Sequence, residues 1–302
     1  MGACPAAGRI AVTRIAVLPG DGIGPEVIGA ALDRFTAELG ETVMIEAGAD
    51  RYLRTGELLT ETDLITVASC DALLFGAVGD PRVRDGILER GIILQLRKEL
   101  DLYVNLRPFP ELGIVIVREN TEGAYAGLGS RQADTAYEVG SNTRAAVLRC
   151  ARYAFDLARQ RSGHLTLVHK RNVMTFAGRL WTEATNEAAR EFDDVEVAYE
   201  HADAAAYHLA ATPGRFDVIL TDNLFGDILS DLAAGLGDGL GKAASANLHP
   251  DDSTRKHRCV GLFEPVHGSA PDIAGSGKAD PTAAIRATEM MLASLKRVTI
   301  SS

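Results

Sequence analysis

Short β-rich apolar runs alternate with amphipathic stretches along almost all of this 302-residue chain, and this alternation constrains the fold more than any other feature. Ile15–Leu18, Val43–Glu46, Ala72–Phe75, Leu102–Leu106, Ile114–Val117, Leu165–Val168, Val195–Ala198, Asp217–Leu220 and Val260–Leu262 read as strands. Between them, helical patterns start at Pro25 and cover Glu61–Ser69, Ile87–Leu100, Ala177–Glu191 and Pro281–Lys296, with a short helix from Asp203. Ser141 is the expected N-cap of a long helix reaching Gln160. Asn247–Arg258 reads as irregular. Such a pattern predicts an α/β fold with a largely parallel sheet.

Composition narrows the function. The chain carries 31 Lys and Arg against 41 Asp and Glu, a formal net charge of −10, and has no long basic run. Nucleic acid and anionic membrane are therefore poor partners. No apolar run approaches the roughly 20 residues of a spanning helix. The small, Pro- and Gly-rich residues 1–9 read as a disordered leader rather than a signal peptide, and a cytoplasmic location is expected. Cys4, Cys70, Cys150 and Cys259 are scattered, which favours free intracellular thiols over disulfides or zinc.

The glycine turn GDGIG at 20–24 does not fit GxGxxG, because the third glycine position falls on Pro25. A tight strand-to-helix turn with positive φ and close backbone approach explains it better. The segment TDNLFGDILSD places Asp227 and Asp231 four residues apart, on one face of a predicted helix. Two stacked carboxylates repel unless a cation lies between them, and Mg²⁺ or Mn²⁺ takes oxygen ligands. Taken alone, the pair reads more readily as two solvated aspartates on an exposed face. Arg97, Arg107 and Arg118 each lie at or beside the end of an apolar element. Singly each reads as an ion-pair partner; together they suit a substrate with two carboxylates, which guanidinium forks grip in bidentate fashion. Tyr125 and Lys170 are candidate acid and base if neighbouring cations move their pKa values toward neutrality. The loop EPVHGSAPDIAG can cradle phosphate with backbone donors, and Asp272 can accept from ribose hydroxyls while repelling a 2′-phosphate. The seven histidines show no metal spacing.

Together LPGDGIGPEV, LLFGAVGDP, LRKELDLYVNLRP, VRENTEGAYAG, TDNLFGDILSDLAAGL and LFEPVHGSAPDIAGSGKADPTAAI resemble the β-decarboxylating dehydrogenases, which act on 3-isopropylmalate, isocitrate, homoisocitrate or tartrate/D-malate. The matches run in family order from about Arg14 to Leu295. The resemblance is strongest to the isopropylmalate branch and leucine biosynthesis, through LERGIILQLR, LTLVHKRNVMTFAGRLW and the C-terminal block. It implies a two-domain α/β fold that is not a Rossmann fold, with a large mixed sheet flanked by helices. Residues 1–101 and 238–302 would form the large cofactor-binding domain, and 102–237 a smaller central domain carrying the dimer interface. Asp227 and Asp231 would bind Mg²⁺ or Mn²⁺ with Asp203 of a neighbouring subunit. Arg97, Arg107 and Arg118 would hold the substrate carboxylates. Tyr125 would be the acid, and Lys170 of the neighbouring subunit the base. His267, Gly268, Ser269, Ala270, Asp272 and Ile273 would line the NAD site, and Asp280 stands where many relatives carry Asn. The implied assembly is a homodimer with shared active sites.

Ahead of Arg97, the positions Gly91, Ile92, Ile93 and Leu94 offer no donor, so Ile93 and Leu94 are expected to face an alkyl C3 substituent. Two features depart from the isopropylmalate pattern. VRENTEG is closer to isocitrate and tartrate enzymes. NLRPFPELGIVIVREN joins two motifs through a link so short that an omitted segment is expected, since both Arg107 and Arg118 must reach the substrate. The expected activity is NAD-dependent oxidative decarboxylation of 3-isopropylmalate or a close 3-substituted malate. The alternatives are a tartrate/D-malate-type enzyme and a non-catalytic regulatory subunit.

Overall fold

In the computed structural model, which describes residues 13–301, strand β1 (Arg14–Gly20) leads into the glycine turn and helix α1 (Gly24–Arg34). The leader expected at residues 1–9 lies outside the described residues. Gly20 and Gly22 have φ of +74° and +58°, and a Cβ on Gly22 would fall 1.9 Å from the Ser269 carbonyl oxygen. The Ile23 amide donates to that oxygen at 2.8 Å. The turn is thus glycine because two loops touch backbone to backbone.

Strand β2 (Glu41–Met44), helix α2 (Ala49–Thr55), helix α3 (Glu61–Ser69) and strand β3 (Ala72–Ala77) follow. The sequence reading missed α2; α3 has the expected bounds and starts on a Thr60/Asp63 capping box. The expected helix to Leu100 is interrupted: α4 (Ile87–Glu89) and α5 (Gln95–Glu99) flank a π turn at Arg90–Leu94. Strands β4 (Val104–Phe109) and β5 (Ile114–Glu119) form an antiparallel hairpin, with Phe109 opposite Ile114, closed by a 3₁₀ turn at Pro110–Leu112. The hairpin closes across the short link and leaves Arg107 and Arg118 on neighbouring strands.

Strands β6 (Gly123–Gln132) and β7 (Thr135–Ser141) make a separate, exposed two-stranded arm. Its strands lack a buried apolar face, so no alternation signalled them. Because β7 extends to Ser141, the cap of α6 (Arg144–Arg159) is Thr143, whose side chain accepts the Ala146 amide, rather than Ser141. Next come β8 (His164–His169), α7 (Thr175–Ala189), β9 (Glu196–His201), α8 (Ala202–Ala211), β10 (Val218–Thr221) and α9 (Asn223–Leu236). Strands β11 (Ala244–Leu248) and β12 (Gly261–Pro265) and helix α10 (Thr282–Ser301) close the chain. Residues 247 and 248, expected to be irregular, belong to β11. That strand is buried, yet Ser245 and Asn247 are satisfied by side-chain amides and carboxylates instead of apolar contacts.

Ten strands form one mixed sheet in the order β2-β1-β3-β12-β11-β4-β5-β10-β8-β9. Pairing is parallel in both wings and antiparallel from β12 through β5. The first five strands in that order come from the two ends of the sequence, the other five from its middle. Helices cover both faces over apolar clusters, including Ile92 and Leu96 beside β3 and Trp181 of α7, which packs against α6. Burying each large side chain contributes about 1.5–3 kcal/mol. Cys70, Cys150 and Cys259 are buried free thiols, as expected. Among the described residues no helix is long and apolar enough to cross a membrane.

Candidate active site

The antiparallel centre of the sheet brings the three arginines together. Arg97 arrives from the end of α5, Arg107 from β4 and Arg118 from β5, and all three are buried. Helix α9 presents Asp227 to them. Arg118 NH1 pairs with Asp227 Oδ1, which also lies 3.4 Å from Arg107 NH2. Arg107 NH1 reaches Asp231 Oδ1 at 3.5 Å, so both aspartates share a helical face as their spacing predicts. The close approach of β5 to α9 requires Gly226: a Cβ there would fall 2.6 Å from Arg118 Cγ. Asp222 caps the helix by accepting the Phe225 amide at 2.8 Å.

Charge is uneven across this cluster. Burial alone would raise the Asp227 carboxyl, but Arg118 and Arg107 outweigh it and hold it below its ordinary value. Asp231 is raised, by burial and by the neighbouring Asp227 charge, against the pull of Arg107. That is the repulsion a divalent cation would relieve, and the donors are the hard oxygens such an ion takes. Burial also lowers Arg107, to about 10. The Tyr125 hydroxyl donates to Asp227 Oδ2 at 2.5 Å, with its ring 4.9 Å from the Arg118 guanidinium carbon. Its pKa is raised by burial and by the bond to Asp227. The expected shift toward neutrality does not occur, because the carboxylate touching the hydroxyl outweighs the cations nearby.

Side chains that the sequence reading passed over orient the arginines. Arg107 donates from Nε to Asn105 Oδ1 at 2.8 Å and from NH1 to Ser230 Oγ at 2.6 Å. Arg118 Nε donates to Asn223 Oδ1 at 2.9 Å. Arg97 donates to Glu264, which also accepts from Asn247. Spacing could have found two of these. Asn105 precedes Arg107 by two on one strand face, and Ser230 follows Asp227 by three on one helix face. Arg97 Nε and Arg118 NH2 remain buried without a hydrogen-bond partner. Buried cationic donors so left call for an anionic ligand.

Lys170 and Asp203 are elsewhere. They pair with each other, Asp203 is exposed, and the pairing holds its carboxyl below the usual range. Among the described residues no three His, Cys, Asp or Glu side chains come together in a way that could hold a metal ion, so Asp203 does not join Asp227 and Asp231 within the chain.

A cavity of about 180 Å³ adjoins Arg97 and Arg107 and is lined by Ile93, Glu89, Glu264, His267 and Gly268. Ile93 thus faces the cleft; Ile92 is fully buried in the core and Leu94 does not line the cavity. In the 267–273 loop, His267 Nε2 is buried and unpaired, Ala270 adopts φ of +39°, and a Cβ on Gly268 would meet nothing. Ser269 is fixed against the glycine turn, Ile273 donates its amide to Ala270, and Asp272 is exposed. Asp280 accepts the Thr282 amide and hydroxyl at the start of α10. The loop is open at Gly268 and backed by the Ser269–Ile23 backbone contact, which fits a dinucleotide.

The isocitrate/isopropylmalate dehydrogenase family matches residues 14–299. A 3-isopropylmalate dehydrogenase of Nocardia farcinica is 49% identical over 299 residues, covering 92% of this chain and 88% of that protein. One of Mycolicibacterium vanbaalenii is 49% identical over 305 residues, covering 94% and 89%. Among solved structures, isocitrate dehydrogenase from Methylococcus capsulatus superposes with a TM-score of 0.84 at 38% identity, over 94% of this chain and 86% of that one. A β-decarboxylating dehydrogenase from Thermococcus kodakarensis gives 0.78 at 43% identity, over 94% and 84%. The chain belongs to the isocitrate/isopropylmalate dehydrogenase family.

Proposed function

We propose that the protein oxidises and decarboxylates 3-isopropylmalate, or a close 3-alkylmalate, to a 2-oxo acid and CO₂. The observation that carries this is the meeting of two under-paired buried arginines with an aspartate pair, beside an opening that presents Ile93 and no cation other than Arg97 and Arg107. Isopropylmalate relatives at 49% identity support the same reading.

Arg97, Arg107 and Arg118 grip the two carboxylates. Asp227 and Asp231 are the ligands for Mg²⁺ or Mn²⁺, and His267, Gly268, Ser269, Ala270, Asp272, Ile273 and Asp280 form the NAD site. A metal held by Asp227 and Asp231 would supply Lewis acidity toward the substrate carbonyl, and a nicotinamide held by the 267–273 loop would supply the oxidising power for C2. Lys170 of a second subunit takes the hydroxyl proton. The Tyr125 hydroxyl, kept protonated by its raised pKa, returns a proton to the enol carbon. Residues 1–101 and 238–302 act as the cofactor domain and 102–237 as the central domain.

A second subunit is favoured by the surface around Lys170 and Asp203. Val173 and Phe176 follow Lys170 in sequence, Tyr207 lies four residues past Asp203 on α8 and Ile228 adjoins Asp227 on α9; they are 69%, 93%, 67% and 57% exposed, and burying large apolar side chains is worth about 1.5–3 kcal/mol each. The test is NAD⁺ reduction against a panel of 3-substituted malates with Mg²⁺. The highest kcat/KM is expected for 3-isopropylmalate; a higher value for isocitrate, tartrate or D-malate would replace this reading.

A further inference from the structure

The helix ahead of Arg97 contains one residue more than its geometry requires. Arg90–Leu94 forms a π turn between α4 and α5. A π turn closes i→i+5 and so absorbs one residue relative to an α turn; single π turns of this kind recur at functional sites. Glu89 and Arg97 stand eight positions apart. In an uninterrupted α-helix, eight positions overshoot two full turns by about 80°. With one residue absorbed, the two side chains fall on a common face, with Ile93 between them.

The surroundings follow that count. Glu89, Ile93 and Arg97 line the cleft together. Arg90, which α spacing would place on the Arg97 face, instead lines a separate cavity of about 520 Å³ with Leu58, Arg84 and Asp85. Glu89 Oε1 lies 3.9 Å from where a Cβ on Gly79 would sit, beside Ser269 Oγ at 3.1 Å. Gly91, inside the turn, leaves room for Leu58: a Cβ there would fall 2.1 Å from Leu58 Cδ1.

We infer that the π turn is a register device that sets which residues face the C3 substituent. It stores one surplus residue, so that Glu89, Ile93 and Arg97 stay on the cleft. The inference rests on the alkylmalate reading above and concerns the same cleft. It gives an asymmetric expectation. Deleting Leu94 lets the helix become continuous α with Glu89 seven positions from Arg97, and the face is kept. Inserting one alanine after Leu94 adds a residue that the helix has no further turn to absorb, and rotates Glu89 and Ile93 off the cleft by about 100°.

The experiment measures kcat/KM for 3-isopropylmalate and isocitrate, with melting temperature, in the full-length wild type, deletion and insertion variants. The deletion is expected to hold the ratio of the two substrates within about threefold and to melt no lower than wild type. The insertion is expected to lower 3-isopropylmalate kcat/KM by about 10²-fold, the scale for misplaced binding groups. Equal damage from both changes would overturn the inference, as would a deletion that fails to fold while the insertion folds. Should both misfold, Ile93→Ala is expected to raise KM and Arg90→Ala to leave kcat and KM unchanged; equal effects would overturn it. A wild type inactive on 3-isopropylmalate would refute the functional reading instead, and the same asymmetry would then be measured on whichever malate it uses.

Discussion

The arginine cleft and the Lys170–Asp203 pair both contain oppositely charged side chains in contact, yet they differ in what surrounds them. In the cleft, Arg97, Arg107 and Arg118 are buried and each is held by an amide, hydroxyl or carboxylate of the same chain. Lys170 and Asp203 pair with each other at the surface, Asp203 otherwise accepting only from backbone amides at the start of α8. A buried charge survives only when paired, so the cleft is a finished half-site with donors to spare. An exposed ion pair is screened by solvent and contributes little, so that pair is free to exchange partners. The contrast supports the proposal that this chain builds its own substrate grip and metal pair but lends its base to a second subunit.

The largest effect expected is in the cleft. Asp227→Asn removes the charge of a carboxylate whose Oδ1 meets Arg118 and Arg107 and whose Oδ2 accepts from Tyr125, and on the proposed metal role turnover should fall by at least about 10²–10³. Full activity in a chelator would contradict the same claim. Next is the C3 pocket. A carboxylate buried beside Ile93 without a partner costs several kcal/mol, so 3-isopropylmalate should exceed isocitrate by at least about 10² in kcat/KM. An Ile93→Asn variant that leaves this preference unchanged would show that the substituent points elsewhere.

Much of this cleft was legible because its chemistry is local. The Asp227–Asp231 spacing encodes a shared face on any helix, and the arginines fall at strand and helix ends. Ile92 and Ile93 were indistinguishable in sequence, since a π turn leaves no compositional mark and only packing separates core from cleft. The β6–β7 arm and the buried polar strand β11 escaped for the opposite reason. β6 and β7 pair with each other on the surface, the polar side chains of β11 bond to Asn105 far away in sequence, and neither segment shows apolar alternation. The β4–β5 hairpin shows the same limit. Only register shows that the strands on either side of the short link set Arg107 opposite Ile116 and Arg118 opposite Asn105.

The cofactor loop gives a smaller effect. Exposed Asp272 would face a 2′-phosphate with a like charge, and kcat/KM for NAD⁺ should exceed that for NADP⁺ by at least about tenfold, or 1.4 kcal/mol. Equal use of the two would remove Asp272 from the site. Smallest of all is Thr143→Ala, away from both regions, which removes the α6 cap and should cost about 1 kcal/mol in urea unfolding with kcat unchanged. A fall in kcat there would mean that α6 communicates with the cleft.

The contrast between a finished half-site and an exported base is tested most directly by mixing two dead enzymes. Lys170→Ala and Tyr125→Phe homodimers should each be inactive. After subunit exchange, each heterodimer holds one site with neither change and one site with both. Activity should return to about a quarter of wild type, since random exchange makes half the dimers heterodimers with one working site each. Confirmed exchange with no recovery would show that each chain builds its own site, and would contradict the account.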